Sequence, residues 1–83
     1  MADDQRKTKS TVTIDGQQYT IVGYESEEHV EEVARMVDEK MKELRRQNSY
    51  LDTPKLAVLT AVNMGHEYLS LKEKMDDEKD EEK

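Results

Sequence analysis

The sequence predicts a small α+β fold. One β-hairpin and one helix form a head packed on a long second helix, which continues as a short coiled coil in an obligate homo-oligomer. Three observations carry this expectation. The stretch VTIDGQQYTIV, residues 12–22, is two β-type runs flanking Asp15-Gly16, and nothing else in the chain reads as a strand. Two later stretches repeat their apolar residues at helical spacing. Finally, 83 residues with no cysteine and two histidines, His29 and His66, have neither a disulfide nor a well-supplied metal site to support a small core. The missing burial is therefore expected from another copy of the chain.

Asp-Gly is a favoured pair for a two-residue type I′ turn, which needs positive φ at both central positions. Such a turn sets Ile14 opposite Gln17 and Val12 opposite Tyr19. Strand alternation then places Val12, Ile14, Tyr19 and Ile21 on one apolar face. Thr11, Thr13, Gln18 and Thr20 take the polar face. A lone two-stranded hairpin is marginal in water, so the apolar face must rest on something.

Ser26 offers an N-cap to a first helix, expected over 26–47, with Glu27 and Glu28 where the helix dipole favours acid. Val30, Val33, Ala34, Val37, Met41 and Leu44 form its apolar stripe. Asp38 and Lys42 add an i,i+4 pair, and Asn48-Ser49 reverses the chain. A second helix is expected over 53–75, with Thr53 as cap, Pro54 in the first helical position and Tyr50 or Leu51 packing back as a staple. Residues 56–62 are apolar almost all round. Beyond them the stripe narrows: Ala57, Ala61, Met64, Tyr68, Leu71 and Met75 are spaced 4-3-4-3-4, a heptad seam that Val58, Val62 and Leu69 broaden early on. Gly65 lies within this helix at a cost of about 1 kcal/mol relative to alanine, which suits close approach of another backbone. The oligomerisation surface is thus expected at Ala57, Val58, Ala61, Val62, Met64, Gly65, Tyr68, Leu69, Leu71 and Met75. Residues 1–10 read as a flexible charged arm, and 76–83 as an acidic disordered tail.

The net charge of −7, with 40% of residues charged, argues against nucleic acid or an anionic membrane as partner, since both require clustered positive charge. Arg6-Lys7-Thr8-Lys9 is the single basic cluster and reads as a solvated arm. With no apolar run near the length of a membrane span and no signal peptide, a cytoplasmic protein is expected.

The chain carries no recognisable catalytic constellation. His66-Glu67-Tyr68-Leu69-Ser70 begins like the HExxH zinc motif, but serine stands where the second histidine should be. His29 falls in a first helical turn, where a surface role is the simpler reading. The carboxylate pairs, such as Glu27-Glu28 and Glu31-Glu32, stand on solvent faces. Met36, Met41, Met64 and Met75 fall on or beside apolar stripes and read as packing residues. Tyr19, Tyr24, Tyr50 and Tyr68 lie too far apart for a base-stacking platform. Neither an enzyme nor a cofactor is expected.

The stretch LDTPKLAVLTAVNMGHEYLSLKEK, residues 51–74, closely resembles the ZapA family of cell division proteins. TVTIDGQQYTIVGYESEEHVEEVARMVDEKM, residues 11–41, looks like that family's hairpin and first helix. The resemblance implies a non-enzymatic partner of FtsZ, the tubulin-like GTPase of the bacterial division ring. It implies dimers formed through the second helix, which commonly pair into tetramers that bridge and bundle FtsZ filaments at mid-cell. It also implies a partner-contacting surface on the head, which maps to Asp15, Gly16, Gln17, Thr20, Arg45 and Lys55. Some relatives carry arginines where this chain has Gln17 and Thr20, so the resemblance puts a basic contact at Arg45 and Lys55 instead. Two other readings stay open. The heptad seam equally suits a coiled-coil adaptor for a different cytosolic protein. The acidic segment 76–83 leaves a small antitoxin-like regulatory module.

Overall fold

A computed structural model describes residues 7–81, with side chains through Asp76. Two strands, β1 (Thr8–Ile14) and β2 (Gln17–Gly23), precede two helices, α1 (Glu27–Gln47) and α2 (Thr53–Glu81). The chain divides into two compact units, one ending at Ser49 and the other beginning at Tyr50.

The first unit holds the hairpin and α1. Asp15 and Gly16 have φ of 54° and 78°, the two left-handed residues that a type I′ turn demands. The turn fixes the register as expected, with Ile14 opposite Gln17 and Val12 opposite Tyr19, and pairing continues to Thr8 opposite Gly23. The hairpin is therefore longer than 11–22, and Thr8, Lys9 and Ser10 belong to a strand rather than to a free arm. The reason lies at the open end, where the Thr8 hydroxyl donates to the carbonyl oxygens of Gly23 and Glu25. Residues 1–6 of the expected arm lie outside the described residues.

Alternation along β1 is clean: Ser10 and Val12 are buried while Thr11 and Thr13 are exposed. The Ser10 hydroxyl finds no hydrogen-bond partner among the described residues. On β2 the expected apolar face is only partly covered, since Tyr19 and Ile21 remain exposed. α1 packs on β1.

The cap of α1 forms as the sequence suggests, with the His29 N–H donating to Ser26 Oγ at 3.1 Å. At the far end Asn48 closes the helix through its backbone N–H and its side-chain amide, both directed at the Leu44 carbonyl, at 2.8 and 3.0 Å. Of the apolar stripe, Ala34, Met41 and Leu44 are buried, and with Val12 they make the core of this unit. Each large side chain among them stabilises the fold by about 1.5–3 kcal/mol. Val30 and Val37 are half-buried and Val33 is exposed, so one edge of the stripe stays open. Met36, expected among the packing residues, is exposed.

The second unit is essentially α2. Asp52, rather than Thr53, is its N-cap: Asp52 Oδ1 accepts the Lys55 N–H at 3.1 Å, and the Asp52 carbonyl accepts the first helical bond from Leu56. Thr53 is already helical, and Pro54 still sits in the first turn, where its missing N–H is harmless. Tyr50 is exposed and forms no staple. Leu56 and Thr60 are buried, and the Thr60 hydroxyl donates to the Leu56 carbonyl at 2.8 Å. Residues 56–62 are not enclosed all round, because Val58 and Val62 are exposed. The helix also runs six residues past Met75, so 76–81 are helical rather than a disordered tail. Nothing after Gly65 stops a helix there: no proline or glycine follows, and the lysines and glutamates of this stretch are good helix formers. Residues 82–83 of the expected tail lie outside the described residues. At about 1.5 Å per residue, α2 is roughly 43 Å long.

Candidate functional site: the hairpin turn and the open face of α2

The turn is fastened to α1 at two points. The Asp15 N–H donates to Asp38 Oδ1 at 2.7 Å, and Arg45 Nη2 donates to Asp15 Oδ2 at 2.5 Å. Lys42 completes the array, with its Nζ 3.2 Å from Asp38 Oδ2. The helix places these groups by periodicity alone. Asp38 and Arg45 are seven residues apart, two turns on one side of α1, with Lys42 between them. The carboxyl group of Asp38 is held below its usual value, first by the Asp15 N–H and then by the hydrogen bond from Lys42. Asp15 is largely covered, with 15% of its side chain accessible, whereas 41% of the Arg45 side chain remains open.

Of the residues expected to face a partner, the structure brings Asp15 and Arg45 together as an ion pair. Gly16 and Gln17 complete the exposed turn, and Thr20 lies exposed on β2, opposite Thr11. Lys55 belongs to the other unit, exposed in the first turn of α2. Arg45 is thus already engaged, while Lys55 carries no side-chain ion pair among the described residues. Asp38 escaped the sequence analysis except as a partner of Lys42. Its signal was there in principle: an acid two helical turns before a base, with an Asp-Gly turn earlier in the chain.

The second candidate surface is the seam on α2. Ala57, Val58, Ala61, Val62, Gly65, Tyr68, Leu69, Leu71 and Met75 are all exposed, and Met64 is half-buried. This is a long apolar face left exposed among the described residues, of the kind that marks an interaction surface. A third feature was missed from sequence. The open edge of the α1 stripe and the hairpin face form a shallow groove of about 210 Å³ lined by Ile14, Ile21, His29, Val30, Val33 and Val37.

Among the described residues no three histidine, aspartate or glutamate side chains gather as a metal would require. Nor, among the described residues, is any helix long and apolar enough to cross a membrane.

The family model of the cell division protein ZapA matches residues 11–83. The chain belongs to the ZapA family. Among its ZapA relatives, the cell division protein ZapA of Bacillus licheniformis is 59% identical over 73 residues, covering 88% of this chain and 86% of the relative. That of Bacillus subtilis is 58% identical over 71 residues, covering 86% and 84%. A solved structure described as a ZapA mutant dimer from Geobacillus stearothermophilus superposes with a TM-score of 0.72 at 54% identity, covering 87% of this chain and 84% of that one. ZapA membership bears out the resemblance read from residues 11–41 and 51–74, and with it the α+β class. None of the relatives' names indicates an enzyme.

Proposed function

We infer that this chain is a division-ring assembly factor that binds FtsZ and cross-links its protofilaments as a multivalent homo-oligomer. One observation carries the reading: among the described residues α2 exposes an apolar heptad face, in a protein whose family includes a solved dimer. Burying that face against a second copy supplies the missing core and holds two heads in one particle. Linking weak heads raises apparent affinity through effective concentration and bridges filaments without any new contact. The dimer is the minimal unit; pairing of dimers into tetramers along the stalk is a further step. The head presents a partner-facing surface at the turn residues Asp15, Gly16 and Gln17 and at Thr20 on β2, with Arg45 paired to Asp15; Lys55, on α2, is a separate candidate contact. The protein then acts in the cytoplasm at the mid-cell ring, with no cofactor, membrane or nucleic acid required.

The test is sedimentation of FtsZ with GTP at modest salt, with and without the protein, alongside electron microscopy of the pellet. Increased FtsZ in the pellet as bundles, with this chain co-sedimenting, is the expected result. If FtsZ pelleting is unchanged at concentrations where light scattering finds an intact oligomer, the reading is wrong and an adaptor for another partner takes its place.

A further inference from the structure

Arg45 is one of two cations that an electrostatic account of partner binding would place in direct contact, yet its guanidinium is already committed. It donates to Asp15 Oδ2, a side chain that is itself largely covered, and the same residue's N–H is held by Asp38 Oδ1. Asp15 is thus gripped by α1 through both its backbone and its carboxylate. It is also the one non-glycine residue with positive φ among the described residues, a conformation that L side chains adopt reluctantly. A short hairpin has little to hold its turn in place beyond the ladder itself. Two anchors two helical turns apart fix both the height and the tilt of the turn over α1.

We propose that Asp38 and Arg45 are positioning residues. They clamp the Asp15-Gly16 turn against α1, and Arg45 affects the partner through the placement of that turn rather than as a cation presented to it. This rests on the FtsZ-binding reading for its second half only. The geometry distinguishes the two roles, because Asp15 and Arg45 then work as a unit. A direct cation contact would be strengthened when its internal acid is removed. A clamp is lost whichever half is removed.

The experiment is a double-mutant cycle in the full chain with Asp15→Gly, Arg45→Gln and the pair combined. Glycine keeps the turn, since Gly-Gly is an accepted type I′ pair. The first readout is the exchange rate of the residue 15 amide, by nuclear magnetic resonance at constant pH, against amides in the middle of α1. Exchange is expected to rise by about threefold or more in each single variant and no further in the double. The second readout is FtsZ affinity. Each single variant is expected to weaken binding by about two- to fivefold, the range of a partly exposed ion pair, with the double no weaker than either. Arg45→Lys, which can still reach the carboxylate, should recover part of both. If Arg45→Gln leaves the residue 15 amide as protected as before, the clamp is wrong. If Asp15→Gly preserves or raises affinity while Arg45→Gln lowers it, Arg45 is a direct contact and the proposal falls. Should the unmodified chain not bind FtsZ at all, the functional reading fails by itself, and the exchange cycle still decides the clamp.

Discussion

Replacing Leu71 by aspartate should dissociate the oligomer while leaving each chain folded. Leu71 is 59% exposed in the single chain, so its removal leaves no cavity there. Fully burying a leucine is worth about 1.5–3 kcal/mol, and the fraction still exposed corresponds to about 1–2 kcal/mol of burial available to a partner. In a twofold-symmetric interface the residue counts once from each protomer, giving about 2–4 kcal/mol per dimer. At about 1.4 kcal/mol per tenfold, the dimer dissociation constant should rise by roughly 30- to 700-fold, before any added penalty for bringing two carboxylates into an apolar seam. Sedimentation velocity over a dilution series of both proteins reads this shift directly. Circular dichroism checks that helicity survives at concentrations where the mutant is monomeric. Glu73→Lys controls for a change of charge on the same helix, off the seam. If Leu71→Asp dissociates over the same range as the parent protein, the heptad face is not the interface, and the multivalent mechanism loses its basis.

Other consequences are more local. Leu56, with no accessible surface, should cost about 2–5 kcal/mol on replacement by alanine, read as a lower denaturation midpoint with an unchanged slope. Ser10→Ala removes a buried hydroxyl with no partner among the described residues and should raise stability by about 0.5–1 kcal/mol; a loss instead would mean the hydroxyl is bonded in the assembled protein. Asp38 has its folded-state pKa depressed, so its ionic contribution is present above the unfolded value near 3.8 and fades as pH falls through the folded one. Asp38→Asn should therefore be less stable than the parent at neutral pH, and the two should converge as acid titrates below about pH 4. A gap that stays constant from pH 7 to pH 3 would contradict this assignment.

What could be read from the residues alone follows the range of the forces involved. The hairpin register was legible because one dipeptide, Asp15-Gly16, dictates both turn type and pairing. The start of α1 was legible because Ser26 caps it within three residues. The start of β1 was not, since Thr8 is secured by carbonyls of Gly23 and Glu25, 15 and 17 residues away. Asp52 and Thr53 are both competent caps, and Pro54 tolerates either register, so only the bond from the Lys55 amide decides between them. The helical stretch 76–81 was misread because charge density suggested disorder, whereas a helix already under way needs a stop signal to end. Asp15 and Arg45 were each singled out as surface residues. That they engage one another depends on how the hairpin docks on α1, which no local pattern encodes.

If Gly65 lies in the oligomer seam, it should set folding and assembly against each other. A side-chain carbon placed there would meet nothing within 4 Å, so the isolated chain gains no packing from glycine and loses about 1 kcal/mol of helix propensity by having it. Substitution by alanine should make α2 more rigid as a lone helix, with higher helicity in the monomeric background. Any accompanying fall in association would then be free of folding damage. The position thus offers a way to weigh monomer stability and self-recognition on separate scales.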